Sequence, residues 1–447
     1  MLKQHQSLIL TIVFLLFCGL TAQGSGKTAA SESPELKDLT LEKCIELSLK
    51  YNPDLGQFAA DVEAAKAEAG ISRGKMKPEL KTELGFLHSI DDQAMTKPRR
   101  VGDRIPYIDD IVSGDLVLSV PIFTGNRLEN RHKSNRLQAE ASQSTFERGK
   151  DELIFSVSNI FFSMLGQKEV INSLEFSKDA MKQHQNRVQE FVDAQKAAKV
   201  DLLRTEVRLA DIEQRLIKEK NMLNVQRTAL LNMMGVSCAD SPDCLISGKL
   251  TVEYAEGQAE ETLEKALKNR PDYLALSRKL EAQRKIVAAT RAERVPQVFL
   301  KGSYGNRWTG APGDGRSEEA GQIMVTANFP VFDGGQINSA VRRESEKVKK
   351  LEEQLRKLML KIQLDLKVAR LNIQSTRARI AVTEKAIEQA QESYRIEKEK
   401  YDFGKGVIVD VLDAQAALLE SQTNHYRALA DFNTAVAQLK LAAGEIK

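Results

Sequence analysis

The chain has 447 residues, its 65 Lys and Arg nearly cancel its 62 Asp and Glu, and aromatic residues make up only 6%. That balance removes the global positive field a nucleic-acid binder carries, and so few aromatics suit long helices better than a thick globular core. The length leaves room for two or more ordinary domains.

At the N-terminus Lys3 precedes an apolar run from Leu8 to Phe17, interrupted by Thr11 and followed by Gly19, Thr21 and Ala22. This is the pattern of an export signal, expected over residues 1–22 and removed on export, with 23–38 as a short N-terminal segment. No later stretch approaches the roughly 20 apolar residues of a helical span, so the exported chain either stays soluble or enters a membrane as strands. Cys18 follows Phe17, where a lipidation site wants a small residue, which speaks against an acyl anchor. Of the remaining cysteines, Cys44 is expected to pack inside a helix. Cys238 and Cys244 flank a short Ala-Asp-Ser-Pro-Asp loop that either closes as a disulfide in an oxidising periplasm or carries two unpaired thiols.

The chain is written twice. Ile45 to Asp54 lies over Leu263 to Asp272, and the same shift of 218 carries Pro78 onto Pro296. Val120-Pro-Ile-Phe-Thr-Gly125 matches Phe329-Pro-Val-Phe-Asp-Gly334 at a shift of 209, which holds through Val200-Asp201-Leu202-Leu203 over Val409-Asp410-Val411-Leu412 and Gly235 over Gly444. Self-similarity on this scale is the first thing to settle before any element is named. It predicts repeats at 39–235 and 259–444 joined by a linker at 236–258.

Each copy runs through the same periods. A helix with a Pro near its start (Pro53, Pro271) ends at a second Pro (Pro78, Pro296), where helical spacing gives way to alternation. Leu80, Thr82, Leu84 and Phe86 alternate with Glu79, Lys81, Glu83 and Gly85; Val298, Leu300, Gly302 and Tyr304 do so in the second copy. A polar, Gly- and Pro-rich loop follows. Next come second strands carrying Leu116, Leu118 and Val120, and Ile323, Val325, Ala327 and Phe329, each expected to stop at its Pro, which removes a ladder donor. Beyond Gly125 and Gly334 lie helical patterns of about 70 residues, roughly 100 Å at the helical rise. Seven-residue seams mark them: Leu355, Ile362, Ala369 and Thr376; Ile373, Ile380, Ile387 and Tyr394; and, in the first copy, Phe146, Leu153 and Ile160. A hinge in each copy, Ala194 to Val200 and Gly404 to Val409, turns the chain back. In the second, Gly404 and Gly406 free the backbone to reverse.

Four short strands with one apolar face cannot stand alone in lipid, because both sheet edges would present unpaired N–H and C=O groups to hydrocarbon. Three chains would supply twelve strands, enough to close a barrel with an open lumen. Leu80, Leu84, Phe86, Leu116, Leu118, Val120, Val298, Tyr304, Val325 and Phe329 are then expected to face lipid, and Lys81, Glu83, Asp115 and Lys301 the pore.

On these residues the chain resembles the TolC family of outer-membrane efflux proteins. The resemblance covers both copies and is most specific in Tyr401-Asp-Phe-Gly404-Lys-Gly406-Val-Ile-Val-Asp410-Val-Leu-Asp413-Ala-Gln, supported by the two strand-ending Pro-containing segments. It implies a mainly helical fold with a small β part, a homotrimer with a twelve-stranded β-barrel and an α-helical tunnel, placed in the bacterial outer membrane and reaching into the periplasm. The function it implies is an exit duct for drug efflux or type I secretion, docked to a periplasmic adaptor and an inner-membrane pump.

Asp410 and Asp413 match two acidic positions that ring the periplasmic mouth in that family, where like charges concentrate a cation-favouring field. Asp410 alternatively caps the returning helix, and the two roles are compatible. Tyr401 matches a position that helps hold the mouth shut, although the family's partner Arg is Gly406 here and Lys405 stands as a substitute. Gln195 and Ala197 replace the glycines in the first hinge, and Asp201 and Arg204 either pair with a neighbouring hinge or stay solvated. Ala197, Val200, Gly404, Gly406 and Val407 are candidate adaptor contacts, since small and apolar residues at the tip of a tube suit end-to-end docking.

Little speaks for an enzyme. Gly24-Ser-Gly26-Lys27-Thr28 lacks the first Gly of a phosphate loop and the strand before it. Gly310, Gly313 and Gly315 lie between two strands, which excludes a dinucleotide turn. His88, His132, His184 and His425 are isolated and read as loop or helix-surface residues, so no metal, cofactor or nucleic acid is expected. The competing reading is an exported coiled coil that braces the envelope without conducting, which leaves the four strands unexplained.

Overall fold

A computed structural model describes residues 39–88, 110–236, 246–252, 263–309 and 316–446. The expected signal peptide, the inter-strand glycines and the Cys238–Cys244 loop lie outside the described residues.

Each copy begins with a broken helix. Thr40 caps α1 (Leu41–Tyr51) by accepting from the Lys43 N–H, and Cys44 is buried inside it. The helix stops at Asn52 because the side-chain carbonyl of Asn52 takes the N–H groups of Asp54 and Leu55, starting α2 (Pro53–Gly74) with Pro53 at its first position. In the second copy α5 (Leu263–Asn269) breaks at Arg270 before α6 (Pro271–Arg291), and one turn of 3₁₀ helix, Ala292–Arg294, leads to the sheet.

The strands are β1 (Glu79–His88), β2 (Asp110–Phe123), β3 (Gln297–Thr309) and β4 (Arg316–Asn328), in one antiparallel sheet of order β1-β2-β3-β4. Leu80 faces Leu118, Leu116 faces Tyr304 and Leu300 faces Val325. Because side chains alternate, this register gathers the residues assigned to lipid from β1 to β4 on one face, with Ile323 and Trp308 added, and Lys81, Glu83, Asp115 and Lys301 on the other. Leu80 is 67%, Leu84 79% and Ile323 83% exposed. A face so apolar and so open has no partner among the described residues.

Two strand ends differ from the sequence expectation. β2 runs through Pro121 to Phe123, with a register shift between the two, whereas β4 stops at Asn328 before Pro330 and leaves Phe329 beyond it. A bulge accommodates the missing N–H of Pro121, so the proline bends the strand without ending it.

The helices α3 (Arg127–Asp193) and α7 (Gln336–Asp402) are 67 residues each, and α4 (Lys199–Met233) and α8 (Ile408–Ala443) return beside them. Pairs such as Glu129–Lys133 and Arg395 with Glu392 and Glu399 line their exposed faces at helical spacing. On α7 most of the expected seam is buried: Ile362, Ala369, Ile373 and Ile380 pack on Ala428, Phe432, Ala435 and Leu439 of α8, whereas Leu355, Ile387 and Tyr394 are half-buried. On α3 the burial falls one residue further on, at Ile154 and Phe161, while Leu153 and Ile160 are only half-buried. The reason is crowding. α3 packs against α2, α4, α6 and α8, so its buried surface is broader than one stripe, and Gly166 lets the chain approach Ala430 and the Tyr426 carbonyl of α8 closely.

No helix among the described residues is long and apolar enough to cross a membrane.

Candidate functional site

The far ends of α3 and α7, opposite the sheet, carry the two hinges. α3 closes with the Lys196 N–H donating to Phe191 O at 2.7 Å and the Gln195 N–H to Val192 O at 2.9 Å; α7 closes with Lys405 to Lys400 O at 2.8 Å and Gly404 to Tyr401 O at 2.9 Å. These are the paired bonds of a left-handed helix stop. Gly404 takes φ +69° at no steric cost, whereas Gln195, one repeat earlier, sits at φ +57°, where a side chain crowds the following carbonyl. Asp201 N–H to Ala198 O and Asp410 N–H to Val407 O repeat the entry into the returning helix.

The hinges meet. A cleft of about 620 Å³ between them is lined by Ala197, Asp201 and Arg204 from the first copy and by Tyr401, Gly404, Gly406 and Val407 from the second. Gly406 is small for a reason: a Cβ there would lie 3.0 Å from Lys400 Cβ and the Tyr401 nitrogen. Val200, in the first turn of α4, and Asp410 and Asp413, in the first and second turns of α8, stand outside the cleft on exposed surface. Asp410 lies in the first turn of α8, where the free N–H groups favour a negative charge, although the capping position itself is Val407 and makes no side-chain bond.

Tyr401 is the buried member of this site. It packs with Val188, Ile408 and Val411, with Phe191 at 6.2 Å and with the His184 ring at 5.4 Å between centroids. Burial, then the negative charges of Asp201 and Asp402, push its phenol above the ordinary value. Its hydroxyl and the Nε2 of His184 are both buried without a hydrogen-bond partner among the described residues. His184 is 5% exposed, which corrects the expectation of a surface histidine, and burial pulls its pKa down while Asp402 opposes and Lys398 assists. A single polar residue on a helix gives no sequence signal that it points inward. Position 195 did give one, since it aligns with Gly404. Among the described residues no group of His, Cys, Asp and Glu is arranged to hold a metal.

A four-stranded amphipathic sheet carried on two long hairpins with paired hinges defines a class, the outer-membrane channel. The same fold is found in VceC of Vibrio cholerae (TM-score 0.77, 17% identity, covering 90% of this chain and 96% of that one). Among curated proteins, TolC of Vibrio cholerae is 21% identical over 402 residues, 88% of each chain, and OprJ of Pseudomonas aeruginosa is 25% identical over 329 residues, which span 71% of this chain and 66% of OprJ. Residues 44–236 and 262–445 each match the family described as outer membrane efflux protein, and the chain belongs to that family. It is therefore an outer-membrane efflux channel built from two copies of the family unit, and not an enzyme.

Proposed function

We propose that three copies of this chain form one exit duct, which passively carries what a periplasmic adaptor and an inner-membrane pump deliver to it, in a tripartite efflux pump or a type I secretion system. The observation that carries this reading is the sheet. β1 and β4 are both edge strands with one unpaired side, and the face they border is apolar and exposed. In hydrocarbon each unpaired backbone group costs several kcal/mol, so the edges must pair with other edges, and three four-stranded sheets close at twelve strands. Below the barrel the 67-residue helices reach about 100 Å, a periplasmic distance.

At the far end, Asp410 and Asp413 of three copies set six carboxylates around the mouth. They attract cations into it, and Tyr401, packed between the hinges, helps hold it closed. Arg204, which aligns with Asp413 across the repeat, puts positive charge next to that ring. Ala197, Val200, Gly404, Gly406 and Val407 form the surface offered to the adaptor.

The test is conductance of the purified mature protein in a planar bilayer. Discrete openings are expected, and multivalent cations should block them from the hinge side. Asp410→Asn with Asp413→Asn should weaken that block by roughly an order of magnitude, since a ring of like charge concentrates counterions. Block that survives the double substitution removes the carboxylate ring. A bilayer that stays silent removes the duct.

A further inference from the structure

The two copies repeat more than their sequence. Moved by 218 and 209, the Leu80–Leu118 pair of β1 and β2 becomes Val298–Ala327, and Thr82–Leu116 becomes Leu300–Val325. Both are facing pairs of β3 and β4, and the agreement runs to the strand ends, where Glu79–Ser119 becomes Gln297–Asn328 and His88–Asp110 becomes Asn306–Glu319. The two hairpins therefore have one register. The junction between the copies, β2 on β3, is a third pairing of the same unit with its neighbour, and nothing among the described residues repeats it. Its repeat has to lie between β4 of one copy of the chain and β1 of the next.

We infer that the β2–β3 junction is the template for the junction between chains and fixes its register: Val325 of one copy faces Phe86 of the next, and Ala327 faces Leu84. Leu116 moved by 209 is Val325, and its partner Tyr304 moved back by 218 is Phe86; Leu118 and Gly302 give Ala327 and Leu84 in the same way. This inference rests on the trimeric duct proposed above. The pairing is antiparallel like the other three, and both pairs stand on the lipid face, where a β-branched residue opposite an aromatic one is favourable.

The helices carry an independent copy of the same rule. Within the chain α3 meets α8, with Thr434 Oγ1 donating to Asn159 Oδ1 at 3.3 Å and Gly166 lying against Ala430 and Tyr426. Moved by 209, Asn159 becomes Val368 on α7 and Thr434 becomes Val225 on α4 of the next copy. The second contact becomes Ser375 beside Asn221 and Ile217. Val368, Val225 and Ile217 are 36%, 57% and 72% exposed in the single chain. A polar contact inside the chain is thus replaced by two exposed valines at its equivalent between chains. Strands and helices also point to the same neighbour, because the first copy of one chain receives both β4 and α7 of the other.

The test is disulfide capture in native outer membranes. Phe86→Cys with Val325→Cys should yield covalent dimers and trimers on oxidation, against a parent that keeps its own cysteines. Leu84→Cys with Val325→Cys, a diagonal pair, should yield roughly tenfold less, since facing Cα atoms lie about 5 Å apart and a disulfide tolerates no more than about 7 Å. Val225→Cys with Val368→Cys gives the same readout in the helices and does not depend on tolerance of cysteine in the barrel. Equal or greater capture by the diagonal pair overturns the register while leaving the oligomer standing. Native mass showing a single chain in detergent overturns the oligomer itself, and with it the register.

Discussion

The two copies of the unit share a backbone and differ in what pins it. After α4 and α8 the chain turns at Gly235 (φ +68°) and Gly444 (φ +73°), and each glycine presses against the break between the two short helices of its own copy, at the Tyr51 carbonyl in one and at Asn269 and Arg270 in the other. The pin at the first break is a neutral amide, with Asn52 Nδ2 donating to Met233 O at 2.9 Å. At the second it is a buried guanidinium. Arg270 donates to Ala442 O at 3.2 Å, holds Asp272 with two bonds and reaches Asp365 at 3.3 Å. Duplication preserved the acceptor, the carbonyl two residues before the turn glycine, and let the donor change from a neutral amide to a buried charge. Geometry in this fold is inherited, and charge is adjusted locally.

That contrast is sharpest under substitution. Arg270→Met strands Asp272 beside a desolvated gap and should lower stability by about 3 kcal/mol, because breaking a buried ion pair leaves its partner uncompensated. Asn52→Ala removes one cap and one bridge and should cost about 1–2 kcal/mol. Thermal unfolding in detergent reads both, and equal losses would erase the distinction between the pins.

The hinges repeat the comparison on a smaller scale. Gln195→Gly should stabilise the first hinge by about 0.5–1 kcal/mol, the relief of a left-handed side chain less the entropy glycine brings to the unfolded chain. Gly404→Gln should destabilise the second by a similar amount. Protease nicking at the two turns would register each change, and no shift in either would mean that neighbouring copies, not φ, set the hinge.

The smallest effect concerns pH. His184 is held neutral by burial, so its folded pKa lies below the ordinary value of about 6.5. The stability it lends is complete above that value and is lost as the pH falls through the folded pKa, because the unfolded state then binds more protons. Protection of the tip amides, taken relative to the intrinsic exchange rate at each pH, should fall under acid, and His184→Leu should flatten that response. A wild-type tip indifferent to acid would exclude His184 from holding α3 on α7.

Much of this was legible in the residues. The alternation of Leu80, Thr82, Leu84 and Phe86, the prolines at 53, 78, 271 and 296, and the second-copy seam each follow a single period, so strands, helix starts and packing could be read directly. The hinge glycines mark the turns for the same reason. What escaped was set by neighbours distant in sequence. β2 passes Pro121 because β3 tolerates a bulge there. The first-copy seam moved to Ile154 and Phe161 because α3 is covered on several sides. His184 turned inward because Tyr401, more than 200 residues later, packs against it. Gln195 needed only the alignment of the chain with itself.

The proposed duct requires that lone sheets with two open edges exist only as parts of a closed cylinder. Native mass spectrometry of the mature protein released from detergent measures this directly. Three copies per particle are expected; a monomer that stays dispersed in water without detergent would contradict it.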